Sequence, residues 1–307
     1  MTIKNYHIWI YFSSIFKEEK MKIGVSSYCF HRLIDEGKFT LFDAIDFARK
    51  TGFDAIEFTD FVSPAGKSPE SFAAELAKAC KEAGLEICNY ATFADFLYGS
   101  GGDMKKEAER LKSQVAIAKA LGSPAMRHDA CWGLQDNSKC RSWREAIKIM
   151  APSIREVTEY AASFGVKTMS ENHGHFLQDS TWMERLVLEV NNPNYGLLVD
   201  MGNFMCADET SLNALATVMP YAFHVHAKDF LYKDGKESCP DDSWFPTRGG
   251  NHLRGTILGH GVVSVGQCIN YIKGCGYDGV LSLEFEGLEE PLLAVQKGYE
   301  YLKKCLN

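Results

Sequence analysis

The 307-residue chain is missing the marks of several protein classes. None of its ten cysteines pairs with another in a CxxC motif, so neither a zinc ribbon nor a redox dithiol is signalled. Cys80, Cys88 and Cys268 lie inside apolar helix- or strand-like runs, which reads as reduced thiols acting as small core residues in a cytoplasmic protein. There is no basic run or arginine-rich face, and the formal net charge is −7, so the electrostatic footprint of a nucleic-acid binder is absent. The opening stretch MTIKNYHIWIYFSSIFKEEK has an apolar centre of about ten residues, whereas a bilayer-spanning helix needs about 20. It carries one lysine ahead of that centre and no small-residue cleavage site, so it is a poor secretory signal. Because a fresh start, MKIGVSSYCF, follows at Met21, residues 1–20 are read as an extension outside the fold and 21–307 as one domain.

What is present is a soluble composition, 46% hydrophobic and 24% charged, with a repeating pattern. A short β-rich run ends in polar residues, an amphipathic helical stretch follows, and a glycine closes it. The runs KIGVSSY, FDAIEFTD, LEICNYATF, SPAMRHD, VKTMSE, YGLLVDMGN, YAFHVHAKD and DGVLSLEFEG read as eight strands, each followed by a helical segment. Eight such units predict a (β/α)8 TIM barrel, which typically takes about 250 residues. The open doubly wound sheet usually shows a glycine-rich phosphate loop after its first strand, and SSYCFHR is not one.

Barrel chemistry lies at the C-terminal ends of the strands. The polar residues expected there are Tyr28, His31, Glu57, Asn89, Tyr90, Arg127, His128, Asp129, Glu171, Asn172, His173, Asp200, Asn203, His224, His226, Lys228, Asp229, Glu284 and Glu286. Glu171, Asp200, His226 and Glu284 stand out, because they come from four successive strands, five to eight, and fall side by side on the rim. Three carboxylates in one buried place repel one another, and a cation resolves that conflict. The set of oxygen and nitrogen donors suits one divalent ion, Mn²⁺ first, with Mg²⁺, Co²⁺ or Zn²⁺ compatible.

The motifs MSENHG, GLLVDMGNF, FHVHAKD and GVLSLEFEG, in this order on strands five to eight, resemble the sugar (phosphate) isomerase/epimerase family with a xylose-isomerase-like TIM barrel. That family takes in ketose epimerases, hydroxypyruvate isomerases and inosose dehydratases. The resemblance spans about 22–306 and implies metal ligation by Glu171, Asp200, His226 and Glu284, with His224 turned away into packing. It also implies that Glu171 and Glu284 act as acid and base. Where the epimerases carry a histidine three residues after the aspartate, this chain has Asn203.

The expected activity is therefore a metal-dependent sugar isomerase or epimerase that moves a proton next to a carbonyl through an enediolate. Its partner would be a small sugar or sugar-derived molecule, with no nucleic acid or membrane; a homo-oligomer is compatible. An inosose-type dehydratase on the same site is the alternative, and an apurinic-site endonuclease, which calls for more histidines, a remote one. The residues expected to meet substrate are His173, Lys228, Asn203, His128, Glu57 and Arg254, while His175 and His252 are left out. Lys228 reads either as a substrate-binding cation or as the ion-pair partner of Asp229, and Glu286 as support for Glu284. The long segment 230–263 reads as a functional lid with Trp244, Phe245 and Arg254 for stacking and charge, and with His260 entering the site.

Overall fold

The computed structural model describes residues 21–135, 139–174 and 177–307; the extension at 1–20 and His175 lie outside the described residues. In chain order the strands are β1 (Lys22–Ser26), β2 (Ala55–Thr59), β3 (Glu86–Thr92), β4 (Ala125–His128), β5 (Lys167–Glu171), β6 (Tyr195–Asp200), β7 (Ala222–Ala227), β8 (Asp229–Lys233), β9 (Phe245–Pro246), β10 (His252–Thr256) and β11 (Val280–Leu283). Strands β1 to β7 and β11 close into a barrel in the order β1–β11–β7–β6–β5–β4–β3–β2, and every neighbouring pair is parallel. The predicted (β/α)8 barrel is thus the observed fold.

Local chemistry sets the helices that separate the strands. The helix Leu41–Thr51 starts with a reciprocal cap, in which Thr40 accepts from the Asp43 amide and Asp43 accepts from the Thr40 amide. It ends at Gly52, whose φ of 102° favours glycine. The helix Pro69–Ala83 has Ser68 as cap and proline in its first turn, where no N–H is needed. The helix Trp143–Ala162 runs through Pro152 without a break.

The main apolar core lies between the strands and the helices, with Ile56, Phe58, Met126, Leu197 and Val225 on the strand side and Leu76, Leu111, Ile154 and Leu186 on the helix side. A second small cluster of Ala125, Met169 and Leu198, with Phe223 against it, is separate from that core. Along each strand these positions precede Arg127, Glu171 and Asp200 by two residues, so they share a face with them. The apolar cluster therefore forms the floor under a polar cup inside the barrel.

The segment after β7 departs from the expectation of a plain lid. Strands β8, β10 and β9 form a three-stranded antiparallel sheet in that order. One carboxylate ties its ends together. Asp229 accepts hydrogen bonds from the amides of Phe230, Gly259 and Gly261 at 2.9 Å and of Val263 at 3.0 Å. Asp229 is thereby committed to backbone, which excludes the ion pair with Lys228. Arg254 and Lys233 both stack on Trp244, at 5.4 and 5.5 Å from the ring centre. The structure thus ties Arg254 to this sheet, where it was expected to meet substrate. His260 is exposed to solvent.

Candidate metal centre

Glu171 and Asp200 are the last residues of β5 and β6, His226 lies near the end of β7, and Glu284 directly follows β11. These four strands are consecutive neighbours in the barrel. One donor atom from each residue can be chosen so that all lie within 4.8 Å of one another. His226 Nδ1 is 3.8 Å from Glu171 Oε1, 3.9 Å from Asp200 Oδ2 and 3.6 Å from Glu284 Oε2.

Each candidate ligand is held from behind. Asp200 Oδ1 accepts from the amides of Gly202 at 2.7 Å and Asn203 at 3.0 Å, which leaves Oδ2 toward the other ligands. Gly202 must be small, because a Cβ there would sit 2.8 Å from the Lys228 carbonyl oxygen. The side-chain amide of Asn172 spans from β5 to β6. It donates to the Asp200 carbonyl at 2.9 Å and accepts from the Asp200 amide at 2.8 Å. Glu171 Oε2 is 2.7 Å from Arg127 Nη2, and its Oε1 accepts from Asn203 Nδ2 at 3.1 Å. Arg127 is gripped in turn by Asp129, with Nη2 2.9 Å from Oδ1 and Nη1 3.3 Å from Oδ2. His226 Nε2 is 2.9 Å from Glu57 Oε1. Glu284 Oε2 is 2.5 Å from Lys228 Nζ.

The electrostatics are those of a crowded anionic cup. Burial pushes the Asp200 carboxyl up to about 7, with Lys228 opposing and Glu284 and Glu171 adding. Burial also acts to raise Glu284, but Lys228 and His226 outweigh it and hold that carboxyl well below its usual range. Burial opposes the charge on His226 as well, yet Glu57 and Glu284 hold the imidazole far above its ordinary value. On the shared face His226 Nδ1 has no hydrogen-bond partner, and the carboxylate oxygens facing it, Asp200 Oδ2 and Glu284 Oε2, meet the Lys228 ammonium at 3.3 and 2.5 Å. Buried polar atoms are rarely left without a partner. Three carboxylates, one imidazole and the unpartnered Nδ1 of His226 fit a divalent cation with oxygen and nitrogen ligands.

The structure sorts the residues expected to meet substrate. Lys228 is only 3% exposed, and besides Glu284 it approaches Asp200 Oδ2 and Asn203 Oδ1 at 3.3 Å and Glu286 Oε2 at 3.5 Å. Glu286 thus supports the same corner as Glu284, as expected. Asn203 uses both ends of its amide, on Glu171 and Lys228, so it links the two halves of the cup instead of reaching out. His173 accompanies the set: its Nδ1 is 3.0 Å from Asp129 Oδ1, its ring edge meets Trp132, and its side chain is 36% exposed. Burial disfavours its charged form, but Asp129 outweighs that and raises its pKa.

Three expectations are corrected. His128 faces the helix layer, because its neighbour Arg127 takes the inward face and alternate residues point to opposite sides. Its Nδ1 contacts the Asp129 carbonyl oxygen at 2.8 Å, its ring lies against Phe96 and Tyr195, and burial pushes its pKa down to about 4. Glu57 is fully buried behind His226 and contacts no outside space. Burial acts to raise its carboxyl, but His226 and His224 hold it well below the usual range. His224 does not turn away. It shares the inward face with His226, two residues on, with Nε2 2.9 Å from Ser282 Oγ and 3.3 Å from Glu57 Oε2.

Arg127 is the inward-facing residue of a pair that the sequence alone does not separate. What separates them is strand parity: a residue two places after an inward apolar position, Ala125, also points inward. Burial pushes the Tyr28 phenol up to about 12, with Glu286 and Glu284 adding and Lys228 opposing.

A closed eight-stranded parallel barrel with this cup at its strand ends defines the xylose-isomerase-like class of TIM barrel. The chain belongs to the xylose isomerase-like TIM barrel family, which it matches over residues 45–305. It is 24% identical to an inosose dehydratase of Lactiplantibacillus plantarum over 273 residues, 83% of this chain and 85% of the relative. The fold is similar to that of the E. coli 3-keto-D-glucoside 4-epimerase, with a TM-score of 0.69, 18% identity, and coverage of 93% of this chain and 100% of the other. It is equally similar to a xylose isomerase-like TIM barrel protein from Mycobacterium smegmatis in complex with magnesium, with a TM-score of 0.69, 18% identity, and coverage of 95% and 98%. The superfamily contains epimerases and dehydratases. No helix among the described residues is long and apolar enough to cross a membrane.

Proposed function

We propose that the protein is a divalent-metal-dependent isomerase or epimerase that moves a proton at a carbon next to the carbonyl of a small sugar or sugar-derived substrate, through an enediolate. The observation that carries this reading is the convergence of Glu171 Oε1, Asp200 Oδ2, His226 Nδ1 and Glu284 Oε2 on one buried face. A divalent ion held by these four, Mn²⁺ first, supplies Lewis-acid polarisation of the carbonyl and the neighbouring hydroxyl.

The remaining chemistry belongs to the chain. One oxygen of each glutamate lies on the ligand face, Oε1 of Glu171 and Oε2 of Glu284, so the other oxygen is free of that face. Glu284 takes the C–H proton and Glu171 returns it, or the reverse, from strands that are not adjacent. Arg127 holds Oε2 of Glu171 and so fixes the direction of that carboxylate. Lys228 and His173 bind substrate hydroxyls from two sides of the cup.

A second reading, a dehydratase, is favoured by Lys228 and by the inosose dehydratase relative. The same proton abstraction followed by loss of a β-hydroxyl needs an acid at the leaving oxygen. The Lys228 ammonium, 2.5 Å from Glu284, is the proton donor within the cup that could serve this role.

One experiment separates the readings. The metal-loaded protein is incubated in D₂O with ketoses, keto-inositols, hydroxypyruvate and sugar phosphates, and the products are followed by NMR. An epimer or an aldose–ketose pair carrying a solvent deuteron supports the first reading. A product short of one water supports the second. No exchange and no product with any of them contradicts both.

A further inference from the structure

Glu57 presents an unusual arrangement. Its carboxylate is 0% exposed and has no lysine or arginine at ion-pair distance among the described residues. Instead it faces three nitrogens. Oε1 is 2.9 Å from His226 Nε2. Oε2 is 3.3 Å from His224 Nε2 and accepts from Asn89 Nδ2 at 3.1 Å. An ionised carboxylate can only accept, so a hydrogen bond at any of these contacts needs the proton on the nitrogen; the Asn89 contact is aligned as one, whereas Glu57 Oε1 and His226 Nε2 are close but not aligned.

For His226 the consequence is specific. With its proton fixed on Nε2, Nδ1 is the nitrogen that carries the lone pair in the neutral ring. Nδ1 is also the atom that lies 3.6 to 3.9 Å from the three candidate carboxylate ligands. A carboxylate behind a metal-bound imidazole fixes both ring orientation and tautomer, and makes the imidazole a better donor.

A second ion is the competing arrangement. Donor atoms of Glu57, His224 and His226 lie within 4.8 Å of one another and could hold an ion that shares His226. The contacts argue against it. Glu57 Oε1 and His226 Nε2 lie 2.9 Å apart, within hydrogen-bond reach once the ring N–H is turned toward the oxygen. Glu57 Oε2 is already engaged by Asn89, and His224 Nε2 also meets Ser282 Oγ at 2.9 Å.

We propose that Glu57 is a positioning residue that holds His226 with Nε2–H toward itself and Nδ1 toward the ion, and that Glu57, His224 and His226 form the back wall of a single metal centre. The inference rests on the four-ligand reading of the cup and adds to it the residue that orients its nitrogen ligand.

Two measurements on the full chain test it. The first is the dissociation constant for Mn²⁺ alone, by calorimetry, for the wild type and for Glu57→Gln, which keeps size and removes the charge. Removing such a partner typically weakens metal binding ~10–100-fold, and a loss of that order is expected here. The second needs no variant, so it stands even if Glu57→Gln folds poorly. In wild-type protein loaded with cadmium and labelled with nitrogen isotope, NMR should show one cadmium resonance coupled to Nδ1 of His226, with Nε2 protonated. Equal Mn²⁺ affinity for wild type and Glu57→Gln overturns the proposal while leaving the four-ligand site intact. So does coupling at Nε2, or a second cadmium resonance coupled to His224. Failure of the wild type to bind either ion overturns this proposal and the four-ligand reading together.

Discussion

Arg127 Nη2 stands 2.7 Å from Glu171 Oε2 and 2.9 Å from Asp129 Oδ1, so one buried guanidinium holds two carboxylates on the inner face of the barrel. Removing it leaves both anions without their cation. A broken buried pair typically costs about 3–5 kcal/mol, and Arg127→Met should lose that much stability in the metal-free protein. Urea denaturation with and without a divalent ion checks this. Added ion should restore part of the loss by neutralising Glu171, and a loss too small to measure would show that the clamp is dispensable.

Lys228 plays the opposite part. It lies 2.5 Å from Glu284 and 3.3 Å from Asp200, where its charge competes with any cation bound by those carboxylates. Two like charges about 5 Å apart repel by roughly 3 kcal/mol at an effective dielectric of ~20, for each unit of charge on the ion. Lys228→Met should therefore bind Mn²⁺ more tightly while its metal-free form becomes less stable. Calorimetry together with thermal melts reads both. Weaker metal binding in the variant would mean that Lys228 organises the ligands instead of competing with the ion.

His128 gives a contrasting prediction. Because it faces the helix layer, His128→Phe should act on stability alone. The Asp129 carbonyl would lose its partner, at a cost of about 1–3 kcal/mol, with no change in cation affinity. A variant that folds normally but binds the ion poorly would return His128 to the site.

Much of this architecture was legible in the sequence, for physical reasons. Strand-to-helix alternation survives in a barrel because each strand needs a helix to cover its outer face, so the eight units could be counted. The ligands Glu171, Asp200, His226 and Glu284 were legible because each closes an apolar strand, and a charge buried there persists only beside a partner or an ion. Orientation within a short strand was harder. Arg127 and His128 are adjacent, both polar and both buried, and only the position of Ala125 on the inner floor sets which one points inward. Glu57 was mistaken for a substrate contact because its partners, His226, His224 and Asn89, come from strands distant in sequence. The sheet formed by β8, β10 and β9 was missed because β8 runs on almost directly from β7 and β9 is only two residues long. Neither leaves a clear alternating pattern.

A pH-dependent contribution sits away from the cup, at Glu107. Its Oε1 accepts from the Asp95 amide at 3.1 Å and from Arg110 at 2.8 Å, and its Oε2 from Ser100 at 2.7 Å and Arg110 at 3.1 Å. Burial acts to raise this carboxyl, but the hydrogen bonds from Arg110, Ser100 and Asp95 outweigh it, so its pKa lies below the ordinary value. A depressed carboxyl adds stability that is fully present above the unfolded value of about 4.3 and is lost as pH falls through the folded value. Glu107→Gln should be less stable than wild type at neutral pH by about 1–3 kcal/mol. The difference should shrink as the pH drops below about 4. Denaturation midpoints measured across that range check the sign, and a gap that widens toward acid would contradict it.

The central claim is proton transfer by the two glutamates of the cup, and isotope exchange tests it most directly. Glu171→Gln and Glu284→Gln are each loaded with Mn²⁺, with occupancy measured, and given in D₂O whichever substrate the wild type turns over. Loss of a general base typically costs ~10²–10⁴-fold in rate, so each variant should stay metallated yet lose turnover by that factor. The variant that keeps the abstracting base should still exchange the substrate C–H proton but fail to complete turnover. If both fully metallated variants exchange and turn over at the wild-type rate, the assignment of acid and base to Glu171 and Glu284 is wrong.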